Sequence, residues 1–179
     1  PVWLNTHFNH PRELTPEAVA ACERLANAGV PVGNQTVLLA GINDDADTMR
    51  ALCEGLVAAR VRPYYIYQAQ LIGGTAHLRT PIETGMDIMR QLRGHTSGFA
   101  VPTYVLDTPD GKVPLTRDYV LGRAGDHVLM ETTRRTLWAE PNPLPPGFES
   151  AHPLPEVGMP EGVRTVPTGA PRFVYGEPA

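Results

Sequence analysis

A short apolar run followed by a helix-spaced segment occurs three times in this chain, and a fourth apolar run closes the series. The apolar runs are V-W-L-N-T, V-P-V-G-N-Q-T-V-L-L, V-R-P-Y-Y-I-Y-Q and F-A-V-P-T-Y-V-L-D. Between them, Thr15-Pro16-Glu17 starts a helix whose face is Val19, Cys22, Leu25 and Ala26, ended by Gly29. A second helix is expected from about Ala46 to Arg60, because Met49, Leu52, Cys53, Leu56 and Val57 recur at helical spacing. Thr80-Pro81-Ile82-Glu83 reads as a capping box with proline at the first helical position, opening a third helix through Met86, Met89 and Leu92 to Gly94. Strand and helix in alternation build a parallel sheet with helices outside it. The expected class is therefore α/β, arranged as a partial (βα) barrel. Three units and a strand do not close a barrel, so missing strands are expected from an upstream segment or a partner chain.

After residue 112 the pattern shortens to strand-like pieces, V-P-L, H-V-L-M-E-T and R-T-L-W-A, which suggest a small β-rich extension. Ten of the nineteen prolines fall from Pro141 onward, so 141–179 is expected to be an extended tail, poorly ordered or wrapped on a partner. A net charge of -4 with no Lys/Arg cluster argues against nucleic acid as a partner. No stretch reaches the roughly 20 apolar residues of a membrane span, and no signal peptide precedes Pro1, so the expected compartment is cytoplasmic. The opening P-V-W-L-N lacks a methionine and reads as the middle of a domain. Cys22 and Cys53 lie in helical patterns without metal-ligand spacing and read as buried thiols.

In a βα architecture the functional groups gather where strands end and loops begin. His7, Asn9, His10, Asn34, Gln35, Tyr67, Gln68, Gln70, Asp107 and Lys112 all fall at such places. Several have a plain structural alternative: His7 and His10 stand at the Asn9-His10-Pro11 turn and can cap the loop after it, Asn34 and Gln35 can satisfy strand backbone, and Tyr64 and Tyr65 can simply pack. Asn43-Asp44-Asp45 looks like an acidic metal cluster but stands just before a helix, where such residues usually cap it. His95-Thr96-Ser97-Gly98 is either a turn or a phosphate cradle. Lys112 stands apart. Fourteen of the fifteen basic residues are arginine, and Lys112 is the one lysine. Condensation with a carbonyl requires an amine that can lose its proton, which arginine cannot supply.

The blocks L-N-T-H-F-N-H-P, G-N-Q-T-V-L-L-A-G-I-N-D-D, V-R-P-Y-Y-I-Y-Q, H-L-R-T-P, L-R-G-H-T-S-G and V-P-T-Y-V-L-D together resemble the C-terminal half of the lysine 2,3-aminomutase family, over roughly residues 1 to 140. Members are radical S-adenosylmethionine enzymes that also use pyridoxal phosphate. The resemblance implies a fold of the radical S-adenosylmethionine partial-barrel type over 1–106, a pyridoxal-lysine segment with a short β extension over 107–140, and the tail over 141–179. It implies an amino-group shift between the α- and β-carbons of an amino acid, L-lysine or a related substrate, by adenosyl-radical and pyridoxal imine chemistry. By the same resemblance Lys112 binds pyridoxal phosphate, His7, Gln35 and Tyr67 line the cofactor pocket, and Asp107 faces a substrate ammonium. Self-association into a homo-oligomer is also implied.

Three departures accompany the resemblance. The C-x-x-x-C-x-x-C motif that ligates the family's 4Fe-4S cluster is absent, so this chain by itself is not expected to generate a radical. The family's second substrate-binding aspartate is replaced by Gln70, which removes one of two charge-assisted contacts and opens the choice of substrate. The glycine-rich approach to the lysine is shortened to P-D-G-K. A reading from another class is a non-catalytic pyridoxal-binding remnant or assembly subunit without the cluster half.

Overall fold

The structure, a computed structural model, describes residues 2–166. The anticipated alternation is present: β1 (Leu4–Thr6), α1 (Pro16–Asn27), β2 (Val32–Leu38), α2 (Ala46–Ala58), β3 (Arg62–Gln68), α3 (Ile82–Leu92) and β4 (Thr103–Thr108). Strands β1 to β4 lie side by side in sequence order, all parallel, and β5 (Gly111–Pro114) returns antiparallel on β4 to complete a five-stranded sheet. Helix α1 starts where Thr15 accepts a hydrogen bond from the Ala18 N–H at 3.3 Å, and Gly29 just beyond its end takes a positive φ of 78°. Helix α2 buries Met49, Leu52, Cys53 and Leu56, the stripe expected from their spacing.

The start of α3 differs from the expected capping box. Pro81 occupies the cap rather than the first helical position, and Thr80 makes no cap bond. The Ile82 N–H is instead satisfied by Asn142 Oδ1 at 2.9 Å. Glu83 does not reach back to the backbone, because its buried carboxylate receives Arg123 and, at 2.8 Å, Asn142 Nδ2. A distant cation outcompetes a local amide for a buried carboxylate, since charge-assisted bonds are the stronger kind.

A second sheet contains β6 (Val120–Ala124), β7 (His127–Glu131), β8 (Leu137–Pro141) and β9 (Arg164–Thr165), in that order. Strand β6, V-L-G-R-A, carries no clear alternation, and its strand character comes from antiparallel pairing with β7 and from a single bridge between Arg123 and Glu156 of the tail, which passes over Gly122. A Cβ there would stand 2.5 Å from the Pro155 carbonyl oxygen, so only glycine admits the approach. Between 142 and 166 the tail is extended and seats Asn142, Leu154 and Val166 in buried positions on the chain itself. Residues 167–179, the rest of the expected tail, lie outside the described residues. The two sheets share one apolar core, in which Ile82, Leu106, Val113 and Leu115 are clustered with Val128, Met130 and Trp138.

Candidate active site

Register places the site. A bulge between β2 and β3 sets Asn34 against Pro63 but Gln35 against Tyr65, so Tyr64 is the extra residue. From there the pairs run Gln35 with Tyr65 and Val37 with Tyr67, then Tyr67 with Val105 on β4. Strand residues alternate faces with a period of two, so Asp107 shares the face of Val105 and stands opposite Lys112 on β5. The hairpin turn between them is only Pro109-Asp110, which brings residues 107 and 112 into direct cross-strand apposition.

That face borders a cavity of about 370 Å³ lined by His7, Gln35, Tyr67, Gln70, Asp107 and Lys112, the six residues expected from sequence. Lys112 Nζ lies 3.2 Å from Asp107 Oδ1 and 5.6 Å from the Tyr67 ring centre. The lysine side chain keeps 43% of its surface exposed, so a ligand can reach the amine. Burial pushes the Lys112 ammonium down, but the Asp107 hydrogen bond and charge, with Tyr67, outweigh it and hold the lysine above its ordinary value. The Tyr67 hydroxyl is raised by burial, against the opposing pull of Lys112. At rest the pair is an ammonium against a carboxylate.

The other rim candidates are structural. Asn34 is buried, its amide donating to the Phe8 carbonyl at 3.0 Å and its oxygen accepting from the Phe8 N–H at 2.7 Å. Asn9 Oδ1 accepts from the Val37 N–H, and His10 caps a short turn of 3-10 helix. Asp45 caps α2 by accepting from the Thr48 N–H, while Asn43 and Asp44 satisfy the loop N–H groups of Leu39 and Gly41 rather than the helix. Ser97 likewise caps a 3-10 turn through the Phe99 N–H. Spacing alone does not separate Gln35 from its β2 neighbour Asn34, since the pleat decides which of them faces the cavity; the family resemblance is what singled out His7 and Gln35.

The apolar lining and the supports behind the cavity have no assigned role in the sequence reading. Leu39, Ile72 and Leu78 add an apolar wall to the cavity. Gln68, at the rim but without an assigned role, is buried between Tyr104, whose hydroxyl donates to it, and the Thr80 carbonyl, which it reaches at 2.8 Å. Arg79 holds the start of the Gln70 segment by donating to the Ala69 carbonyl at 2.9 Å, and pairs with Glu140 at 2.8 Å.

An exposed primary amine beside a carboxylate and an aromatic ring, in a cavity of small-molecule size, fits a planar carbonyl ligand such as pyridoxal phosphate. The residues do not fit an iron-sulfur cluster. Cys22 and Cys53 are both free and buried, and burial with the Glu54 charge pushes the Cys53 thiol up to about 12. Among the described residues no group of three His, Cys, Asp or Glu could hold a metal ion.

The fold and cavity together define an α/β chain with a lysine-carboxylate pair at the carboxyl ends of parallel strands. Residues 89–147 match the family model described as lysine-2,3-aminomutase. L-lysine 2,3-aminomutase of Fusobacterium nucleatum is 58% identical over 132 residues, 73% of this chain and 31% of that protein. The Bacillus subtilis enzyme of the same name is 53% identical over 145 residues, 80% of this chain and 31% of that protein. Glutamate 2,3-aminomutase of Clostridioides difficile is 52% identical over 134 residues, 74% of this chain and 32% of that protein. Among solved structures, a radical SAM methyltransferase from Sphaerobacter thermophilus resembles 59% of this chain and 34% of that chain, with a TM-score of 0.48 and 19% identity. The chain belongs to the lysine 2,3-aminomutase family, matching its C-terminal portion. It spans about a third of the length of the curated relatives it matches.

Proposed function

We propose that this chain is the pyridoxal-phosphate-binding part of an enzyme that moves an amino group between the α- and β-carbons of an amino acid. The observation that carries the reading is the Lys112–Asp107 pair, inside one cavity with His7, Gln35, Tyr67 and Gln70. Pyridoxal phosphate, when bound, supplies the carbonyl that captures an amino group and the conjugated ring that stabilises electron density beside it. Lys112 would hold it through Nζ, beside the Tyr67 ring whose centre lies 5.6 Å from that atom. Asp107 accepts the Nζ hydrogen bond and is also the carboxylate available to a substrate ammonium. Leu39, Ile72 and Leu78 offer apolar surface to a ligand on one side of the cavity.

The described residues hold no ligand set for a cluster that would generate a radical. The C-x-x-x-C-x-x-C triad, S-adenosylmethionine and the 4Fe-4S cluster belong, in this reading, to sequence outside the 179 residues, as do the strands that would extend the sheet beyond β1 into a barrel. Among the described residues β1 is paired on one side only, an edge of the kind such strands would cover. For the substrate, Asp107 favours a cationic side chain and Gln70 does not demand one. Relatives of 58% and 52% identity are named for lysine and for glutamate, so similarity alone does not choose between them.

Incubation of the full-length protein with pyridoxal phosphate, borohydride reduction and peptide mapping test the reading. An adduct on the Lys112 peptide, absent in Lys112→Arg, is expected. A wild-type protein unmodified at Lys112 would overturn it. A second reading is a pyridoxal-binding subunit without radical chemistry. An in-frame cysteine triad in the coding sequence upstream removes that alternative.

A further inference from the structure

We infer that Asp110, gripped by the second sheet, is a positioning residue for Lys112, an inference that rests on the pyridoxal role proposed for that lysine. Lys112 sits on β5, which is four residues long, ends the five-stranded sheet and is paired on one side only. Short edge strands and turn tips are where native structure opens first. An amine that must meet a ligand carbonyl in one geometry is poorly served by such a strand unless its tip is held.

The tip is held. Asp110 Oδ2 accepts Thr132 Oγ1 at 3.2 Å, Thr136 Oγ1 and Arg164 Nη2. Arg164 Nη2 also donates to Thr136 Oγ1 at 2.7 Å, and Thr133 Oγ1 donates to the Asp110 carbonyl at 3.4 Å. Thr132, Thr133 and Thr136 belong to the β7–β8 turn region and Arg164 to β9, so separate parts of the second sheet converge on one carboxylate two residues from Lys112. The Asp110 side chain is only 9% exposed although it stands at a hairpin tip.

Turn chemistry does not explain the aspartate. Asp is favoured in turns because its side chain bonds the nearby backbone. Here Thr108 does that work, accepting from the Asp110 N–H at 3.3 Å and donating to the Gly111 carbonyl at 2.8 Å. The carboxylate bonds run across to the second sheet instead. The Thr136 and Arg164 hydrogen bonds also hold the Asp110 carboxyl below its ordinary value, so the grip persists through the neutral range. The second sheet thereby fixes the hairpin that presents Nζ.

The test uses the full-length protein with Arg164→Ala, Arg164→Lys and Thr136→Val, read by pyridoxal phosphate affinity from the absorbance of the lysine adduct and by amide hydrogen exchange at 111–113. Arg164→Ala is expected to weaken pyridoxal phosphate binding about tenfold, the scale of one lost charge-assisted hydrogen bond, and to accelerate exchange at 111–113. Thr136→Val is expected to move both readouts in the same direction, and Arg164→Lys to restore most of each. Unchanged affinity in Arg164→Ala and Thr136→Val, with the wild type binding normally, overturns the inference. A wild-type protein that forms no adduct removes the proposed function instead. Exchange at 111–113 then decides the grip alone, and equal rates in wild type and Arg164→Ala overturn it.

Discussion

Lys112 and Asp107 are separable roles placed on one ion pair. While Asp107 keeps Nζ protonated, the lysine is a poor nucleophile, and ligand capture requires that proton to leave. The lysine value is raised in the folded chain, so the pair's contribution to stability is complete below the ordinary lysine value and fades only as pH climbs through the raised one. Adduct formation runs the other way, increasing as pH rises toward that value. In Asp107→Asn the largest raising influences on Lys112 disappear while burial, which lowers it, remains. The pH at half-maximal adduct formation is expected to fall relative to wild type, measured by borohydride trapping across a pH series. An unmoved profile would show that Asp107 does not control the amine. The lysine was legible in the sequence because arginine replaces it everywhere else. Its partnership with Asp107 was not, because that depends on a two-residue turn setting the cross-strand register.

Helix α3 shows how far an element can be read. Its apolar stripe was legible, and Ile82, Met86, Met89 and Leu92 are buried as their spacing implies. Its start was not, since Glu83 serves Arg123 forty residues away rather than the local backbone. Both partners are under 10% exposed, at 3% and 9%. Arg123→Met would leave Glu83 buried without its cation, which costs about 3–5 kcal/mol, measurable by denaturant unfolding. Replacing both residues by apolar ones of similar size is expected to recover most of the loss. On the same helix, a Cβ at Gly85 would stand 2.3 Å from Tyr104 Cζ. Gly85→Ala therefore presses on a buried ring that also orients Gln68, and about 1–3 kcal/mol of destabilisation is expected from such overpacking, despite alanine's better helix propensity. The strand alternation pointed to four parallel strands, but β6 escaped it because Gly122 and Arg123 are chosen for the tail and for Glu83 rather than for a pleat.

The whole molecule is joined by connections that no local pattern announces. Arg123 links α3 to the second sheet and also donates to the Asn142 carbonyl at 3.0 Å, while Arg79 ties the segment after β3 to Glu140 on β8. Apolar residues of both sheets share one core, so neither sheet has an apolar face of its own to retain if the other opens. This argues for a single cooperative unit containing both the cavity and the second sheet. Native-state amide exchange is the direct test. The slowest amides of β2 (Val37, Leu38) and of β7 (Val128, Met130) are expected to exchange with the same opening free energy. Arg123→Met should lower both by equal amounts, even though it touches only one sheet and α3. If β7 loosened while β2 kept its protection, the second sheet would be an independent module, and its control over the Lys112 hairpin would have to act without sharing the fold's stability.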